Sequence, residues 1–282
     1  MFVDDSLGES GAAKRTVMLT MVQLALLAMN FDAGLLQQRL TELQACVEIP
    51  VMMAPEPMLP RQQVRLADHP ELARLLAEGG HKRVGVLSRA SPNHGIEATL
   101  SADGSCLVAG RLLARTDEED GPAVSIGKCV NAQVRFVDLI LADKLQAASS
   151  PSTRVVDLTA RELGPLVERW LDLLAEKGGG SVVDDVVNAL GALPGIDMPS
   201  ERAFYIAALL NPYGCRDDAI ADLENPCDSE ACVASVWPAM EIRHTMLTAP
   251  TAMHRLAIAK TGLVDSIYKL KGGEWPMNSY YW

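Results

Sequence analysis

The stretch IPVMMAPEPMLPRQQVRL, residues 49–66, decides how this chain begins to fold. It joins a short apolar strand to a proline-rich turn that ends at Pro60. A second stretch, AMEIRHTMLTAPTAMHRLAIAKTGLVDSIYKL at residues 239–270, predicts two amphipathic helices in succession. The residues between the two stretches combine strand and helix patterns, so the chain predicts an α+β fold.

The composition predicts a globular protein with a sizeable aliphatic core. The 282 residues allow one large domain or two small ones, and 49% of them are apolar. Aromatic residues contribute only 5%, so Leu, Val, Ala and Met must fill the core. The formal net charge of −11 at pH 7 argues against a nucleic-acid partner, because binding to a phosphate backbone relies on clustered Lys and Arg.

Residues 1–46 predict a helical N-terminal extension, with leucines at three- and four-residue steps. Its longest apolar run, residues 17–29, is too short for a membrane span, which needs about 20 residues. The run is either a buried or partner-facing helix or the remnant of a targeting sequence. Lys14 and Arg15 precede it, but earlier acidic residues are atypical of a signal peptide. A soluble, intracellular protein is expected, with a plastid or mitochondrion as the open alternative.

Residues 47–146 predict a β-rich subdomain, a small antiparallel barrel or sheet with one helix. The helix begins near Pro70 and ends at Gly79 and Gly80. Asp103-Gly104 predicts a type I′ hairpin turn, which needs positive φ at both central residues. Strands are predicted over residues 47–53, 83–88, 95–100, 106–114 and 130–139.

Residues 147–271 predict a helical subdomain, a bundle that follows a short linker at 148–152. Thr159 and Glu162 have the spacing of a capping box and predict a helix start. In the last helix, Val264 is expected on the buried face and Arg255 on the opposite side. Further helices are predicted over 182–193, over 200–211 with Ser200 as the cap, over 239–248 and over 251–270.

The six cysteines fall into two groups. One group lies in predicted strands or their approaches, where a free thiol packs as a small apolar side chain: Cys46, Cys106 and Cys129. The other group lies in a polar segment, residues 213–238, which we interpret as an insertion: Cys215, Cys227 and Cys232. Their spacing fits a zinc site poorly, which leaves a disulfide or unpaired thiols as the main alternatives.

No set of residues specifies a reaction. Residues 121–129, GPAVSIGKC, resemble a phosphate-binding loop, but the glycines are too far apart and Cys129 replaces the hydroxyl residue. Ser266 and Lys269 have S-x-x-K spacing, which is common on amphipathic helices. The five histidines are scattered along the chain. The sequence therefore predicts no catalytic residues, no cofactor and no metal site, and the chain is expected not to be an enzyme.

Several segments, in their order along the chain, resemble the LON substrate-binding domain, which occurs at the N-terminus of Lon proteases and also on its own. Residues 49–66 resemble its opening strand and turn, and residues 240–259 resemble its closing helices. The pieces between them are RVGVLSR at 83–89, DGSCLVAGRLLAR at 103–115, CVNAQVRFVDL at 129–139 and FYIAALLNP at 204–212. The resemblance implies a PUA-like β subdomain followed by a helical bundle. The aromatic and acidic stretch that the family usually has after the first turn is missing at residues 66–70.

The resemblance implies a non-catalytic protein-binding module that acts as an adapter or substrate-recognition factor. No ATPase or protease segment follows in the sequence, so recognition without hydrolysis is expected. The main alternative is an accessory structural subunit of a larger protein complex, which keeps the LON fold as a scaffold. An organelle is one location considered for this complex. An enzyme of unrecognised type is the third.

The candidate partner-binding side chains belong to two parts of the chain. The tail at residues 272–282 is either an interface anchor or a flexible terminus, because Trp and Tyr are typical of interfaces. Its candidates are Trp275, Tyr280, Tyr281 and Trp282, and those near the proline turn are Met52, Met53 and Met58.

Overall fold

The computed structural model describes residues 45–54, 56–89, 91–116, 124–125, 128–149, 153–177, 180–213 and 241–273. The predictions for residues 1–44, for the three cysteines of the 213–238 segment and for the tail aromatics lie outside these ranges and stay predictions. Within the described residues the chain has an α+β fold with one mixed six-stranded sheet and seven α-helices.

All five predicted strands are present, and a sixth, shorter strand follows the proline turn. This extra strand was missed because its three residues, of which only Val64 is buried, are too few to show an alternating pattern. The strands are β1 (Val47–Ala54), β2 (Gln63–Arg65), β3 (Arg83–Ser88), β4 (Ser91–Leu100), β5 (Cys106–Arg115) and β6 (Cys129–Val137).

The strands follow the order β2-β5-β4-β3-β1-β6. The expectation of an antiparallel sheet is wrong at one pairing, because β1 and β3 run in parallel, with Val51 opposite Gly85. Parallel neighbours need a crossover connection, and the turn, β2 and a helix supply it. The last residues of β5, 112–115, also pair with β6. The pairings therefore lead from β5 through β4, β3, β1 and β6 back to β5.

β4 and β5 form the hairpin that Asp103-Gly104 predicted, but its turn is not type I′. Gly104 has a φ of 73°, whereas the only non-glycine residue with positive φ in the described part is Arg61. The Asp103 carboxylate instead accepts hydrogen bonds from the hydroxyls of Ser101 and Ser105 and from the Ser105 N–H. These hydrogen bonds lower the pKa of Asp103 to about 2.

The two faces of the strands bury different side chains. One face forms a small cluster of Ile49, Val51, Leu87, Leu113, Ala132, Val134 and Phe136. The other face contributes to the main core, which it shares with the helices. Gly85 faces the small cluster, where an added Cβ would lie 2.8 Å from Val51 Cγ1. Glycine at this position therefore leaves room for the side chains of the neighbouring strands.

The helices of the described residues are α1 (Pro70–Gly79), α2 (Leu139–Ser149), α3 (Thr153–Glu176), α4 (Gly180–Leu190), α5 (Pro199–Leu210), α6 (Arg243–Thr248) and α7 (Ala252–Leu270). α1 begins at Pro70 and ends before Gly80, as predicted. α2 was not predicted, because its short apolar start continues the pattern of β6 and does not distinguish a strand from a helix. None of the described helices is long and apolar enough to cross a membrane.

Two predicted helix starts are wrong. Thr159 lies inside α3, and its hydroxyl donates to the Val155 carbonyl rather than capping a helix. Ser200 lies in the first turn of α5, whose N-cap residue is Met198, and its hydroxyl donates to Asp143. Both hydroxyl side chains are able to cap a helix, but here each donates its hydrogen bond to another acceptor.

The buried face of α7 also differs from the predicted one. Arg255 is only 7% exposed, whereas Val264 is 44% exposed. The predicted Leu256, Leu263 and Ile267 are buried, together with small residues such as Ala259 and Gly262. An added Cβ on Gly262 would lie 3.0 Å from Leu210 Cδ1 of α5. Close helix packing therefore shifts the buried face of α7 toward these small residues.

Gln62 connects the strands to the helices. Its buried side chain accepts a hydrogen bond from the Leu59 N–H at 2.9 Å and donates one to the Asn211 carbonyl at 2.7 Å. The Gln62 carbonyl accepts from the Ala109 N–H of β5. The Asn211 side chain in turn accepts from the Ile242 N–H, next to α6. One amide side chain thus ties the proline turn to the end of α5, and through Asn211 to the start of α6.

Replacing Gln62 by Ala should destabilise the fold. It leaves a buried N–H and a buried carbonyl without their partner, and each such group costs about 1–3 kcal/mol. We expect the free energy of unfolding, measured by urea titration, to fall by at least about 2 kcal/mol. Gln63→Ala, at the exposed neighbouring position, is the matched control and should change stability by less than about 0.5 kcal/mol. Equal stability of the two variants would contradict the role of Gln62.

Candidate protein-binding surface

The predicted partner-binding residues differ in their exposure. Met52 and Met58 are each 1% exposed and belong to the main core, so in this structure their side chains do not reach a surface. Met53 is half-buried. The four tail aromatics, Trp275, Tyr280, Tyr281 and Trp282, lie outside the described residues. Of the three methionines, Met53 is therefore the one that a partner could contact.

Helices α3 and α7 lie side by side and run in the same direction. The Lys260 ammonium pairs with the Glu162 carboxylate at 2.6 Å, and the Trp170 indole N–H donates to the Ser266 hydroxyl at 2.7 Å. Glu162 on α3 thus contacts Lys260 on α7, and further along both helices Trp170 contacts Ser266. Residues before Glu162 and residues after Lys260 therefore lie on opposite sides of the ion pair along the helix axes.

Four large apolar side chains remain exposed on these two helices: Val155 (49%), Leu158 (53%), Val264 (44%) and Tyr268 (54%). Leu158 precedes Glu162 by four residues and Val264 follows Lys260 by four, so each lies on the same flank of its helix as the ion pair. At a rise of 1.5 Å per residue, the four side chains span about 20 Å. We call Val155, Leu158, Val264 and Tyr268 the α3–α7 strip.

The α3–α7 strip is suited to contact with another polypeptide. Single exposed apolar side chains are ordinary, but a row of them on adjoining helices is typical of an interaction surface. The ion pair between Glu162 and Lys260 crosses the middle of the strip, and the Tyr268 ring adds a hydroxyl to an apolar body. The strip offers apolar area and a few polar contacts to a partner.

A buried triad of polar side chains holds α7 in place. Ser200 of α5 donates to the Asp143 carboxylate of α2 through its N–H at 2.9 Å and its hydroxyl at 2.6 Å. The Arg255 guanidinium of α7 donates to the Ser200 hydroxyl at 2.8 Å. Burial raises the pKa of Asp143, while the hydrogen bonds from Ser200 and the charge of Arg255 oppose that rise. Burial likewise lowers the pKa of Arg255, against the charge of Asp143.

A second buried ionic group fixes the start of α6. Arg243 is 1% exposed, and its Nη2 lies 2.7 Å from Glu56 and 2.6 Å from Glu241. Burial by itself lowers the pKa of Arg243, but the hydrogen bonds and charges of Glu241 and Glu56 outweigh it and raise that pKa above its usual value. Arg243 thereby links α6 to the turn that follows β1.

The residues considered for chemistry have structural contacts. Ser266 is fully buried and accepts the Trp170 hydrogen bond, so its hydroxyl is not an accessible nucleophile. His254 contacts the Thr251 hydroxyl, and the His69 ring meets the Tyr213 ring edge-on. In the described ranges, no three or more His, Cys, Asp or Glu residues are placed to hold a metal ion.

The first group of cysteines is less buried than expected. Cys106 and Cys129 are half-buried free thiols, and burial raises the pKa of Cys129. Cys46 is exposed, so the expectation that it packs in the core is wrong. It lies just before β1, where no helix or strand covers it in the described part of the chain.

Sequence patterns do not predict this surface. The strip depends on the parallel contact of α3 and α7, two helices separated by about 75 residues of chain, and the sequence assigned Val264 to the core. A scan of the chain against protein-family models finds no match, and a search of curated proteins finds no similar sequence.

The raised pKa of Asp143 predicts a pH dependence of stability. A raised pKa means that the folded state binds this proton more tightly than the unfolded state. The contribution of Asp143 to stability is therefore fully present below its unfolded pKa of 3.8 and is lost as the pH rises through the folded pKa. The stability of the wild type relative to Asp143→Asn should therefore fall as the pH rises above 3.8. Urea titrations of both proteins measure this difference, with the exposed Asp184→Asn as control. A stability difference that grows in favour of the wild type as the pH rises would contradict the raised pKa of Asp143.

Replacing Arg243 by Met should leave two carboxylates close together and partly buried. Breaking a buried ion pair in this way costs about 3–5 kcal/mol of unfolding free energy. Arg74→Met provides the control, because Arg74 pairs with Glu78 on the surface at 59% and 60% exposure and such pairs contribute about 0–1 kcal/mol. Chemical denaturation of both variants tests this. Similar losses in both would show that Arg243 is no more important than a surface arginine.

Proposed function

We propose that this chain is a non-catalytic protein-binding module that resembles the LON substrate-recognition domain and acts as an adapter or substrate-recognition factor. The α3–α7 strip is the observation that carries the proposal, because it presents four apolar side chains on a folded scaffold. The net charge of −11 favours a polypeptide over a nucleic acid as the partner. Basic or apolar segments would suit this surface best.

The buried polar links support a binding role. Gln62, the Asp143–Ser200–Arg255 triad and Arg243 use side-chain hydrogen bonds to fix helices that are distant in sequence. A surface that is already ordered loses little conformational entropy when a partner binds. An ordered strip can therefore bind a partner through a modest apolar area.

The strand pairings support the finer part of the resemblance. Pairing that leads from β5 through β4, β3 and β1 to β6 and back to β5 is what a small PUA-like barrel requires. Contacts of α7 with both α5 and α3 are in keeping with a helical bundle. Both assignments belong to the proposal.

The second candidate is an accessory structural subunit of a larger complex, which would keep the LON fold as a scaffold. The exposed ring of Tyr268 favours it, because Tyr is enriched at the centre of stable interfaces. In that case a fixed neighbour, rather than a changing set of polypeptides, would cover the strip.

A binding assay tests the first candidate. The full chain should bind a basic unfolded polypeptide, such as reduced and carbamidomethylated lysozyme, in fluorescence anisotropy. Leu158→Asp with Val264→Asp should weaken this binding about tenfold or more, because a charge in an apolar contact costs more than about 1.4 kcal/mol. Ile140→Asp, at an exposed apolar residue outside the strip, is the matched control.

The outcomes separate the candidates. Equal affinity of the strip variant and the control would place the binding site elsewhere. If the chain binds no polypeptide but co-purifies in fixed stoichiometry with a complex, and the strip variant loses that complex, the structural subunit is the correct assignment.

A further inference from the structure

Two arginine side chains share one buried carboxylate on the sheet. The Glu97 carboxylate accepts hydrogen bonds from Arg111, at 2.8 Å from its Nε and 3.4 Å from its Nη2, and it also pairs with the Nε of Arg83. Glu97 is 6% exposed, whereas the side chains of Arg83 and Arg111 are 43% and 57% exposed. Two cations and one anion leave this group with an excess positive charge, in a protein whose net charge is −11.

Both guanidinium groups also lie against the ring of Phe136. The Cζ atom of Arg111 is 4.1 Å from the ring centroid, and that of Arg83 is 5.1 Å away. Phe136 is 8% exposed and belongs to the small cluster of the sheet. The cation–π contacts and the Glu97 carboxylate therefore hold the two guanidinium groups in place before any ligand arrives, which lowers the entropy that binding has to remove.

The two arginines keep donors for a further anion. A guanidinium has five N–H donors, and the two oxygens of Glu97 engage only part of the ten that Arg83 and Arg111 have together. Among the described residues, Glu97 is the one carboxylate that pairs with either arginine. The exposed N–H groups are therefore available to a second carboxylate.

An exposed apolar side chain lies at the same edge of the sheet. Val47 begins β1 and is 37% exposed. It pairs with Val134, which precedes Phe136 by two residues on β6, so alternation places Val47 on the same face as Phe136. β1 and β3 run in parallel, and Arg83 is the first residue of β3. The start of both strands therefore combines a positive charge with an apolar contact.

We propose that Arg83 and Arg111 bind the C-terminal carboxylate of a polypeptide, and that Val47 contacts the apolar side chain of its last residue. Guanidinium groups suit a carboxylate because their paired donors match its two oxygens. A C-terminal carboxylate adds a single negative charge to a chain, whereas the net charge of −11 repels a segment rich in Asp and Glu. Carboxylate binding does not rest on the proposed function, but its use in recognising a partner does.

NMR titration of the full chain, labelled with ¹⁵N, tests the site with three peptides. The first is acetyl-Gly-Lys-Val-Leu with a free carboxylate, and the second is its C-terminal amide. The third, acetyl-Gly-Asp-Val-Leu-amide, has a side-chain carboxylate instead. The free acid should shift the Nε–H signals of Arg83 and Arg111 and should bind about tenfold or more tightly than either amide, because only the acid offers a terminal carboxylate to both guanidinium groups.

Arginine variants locate the binding and assign the two signals. Arg83→Gln removes the excess positive charge, and Arg111→Lys keeps the charge but loses the paired donors. Each should weaken binding of the free acid about tenfold. Arg135→Gln is the matched control, because Arg135 is exposed and alternates with buried Phe136 on β6, and it should leave the affinity unchanged. The comparison of acid and amide on the wild type needs no variant, so it holds even if one of them does not fold.

Three outcomes would overturn the site. Equal affinity for the free acid and its amide would exclude carboxylate recognition. Tighter binding of the Asp peptide than of the free acid would assign the site to side-chain carboxylates. Unchanged affinity in folded Arg83→Gln and Arg111→Lys would place the carboxylate elsewhere on the protein.

The same titration distinguishes this site from the proposed function. If the free acid binds as expected but unfolded lysozyme does not bind the chain, the proposed function fails and the carboxylate site stands. If unfolded lysozyme binds through the α3–α7 strip but the free acid shifts neither arginine signal, the carboxylate site is refuted and the proposed function stands.

Discussion

The buried amide of Gln62 is the constraint on which the rest of the structure depends. The preceding turn is rich in proline, which lacks a backbone donor, so side-chain hydrogen bonds supplement the backbone ones that tie it to β5. Gln62 does this through Leu59 and Asn211. Arg61 beside it has a φ of 72°, an unfavourable conformation for a residue with a side chain. Its guanidinium donates to the Ala192 carbonyl and to Glu201, so contacts with the helical half hold it there.

Buried arginine side chains hold several of these elements together through hydrogen bonds. Arg243 and Arg255 are buried with carboxylates or a hydroxyl, and Arg202 donates to the Pro194 carbonyl near α5. Guanidinium groups suit this role because they stay charged and donate in several directions. α7 buries Arg255 together with its small residues. Val264 and Tyr268 therefore lie on the outer side of this helix. The same packing that fixes the helix therefore creates the apolar strip on its outer side.

The sequence predicted those features that local rules control. Five strands, the hairpin at Gly104, the glycine end of α1 and the start of α7 after Thr251 follow from alternation, turn residues and helix caps. Prediction failed where a distant partner decides the outcome. Ser200 has the chemistry of a cap but bonds to Asp143, and Cys46 was assigned to a core that does not reach it. For the surface, Met52 and Met58 proved to be core residues, whereas Val264, predicted on the buried face of α7, is exposed in the strip.

By itself the sequence determined the α+β class and the positions along the chain of five of the six strands and most of the described helices, because hydrophobic period and turn residues act over a few positions. Tertiary structure alone decided three things: the parallel pairing of β1 with β3, the face that α7 buries, and the meeting of α3 with α7. Each depends on which distant segments come into contact, and apolar side chains do not encode a specific partner. The candidate binding surface belongs to this second group, since it is what remains exposed after the helices have packed.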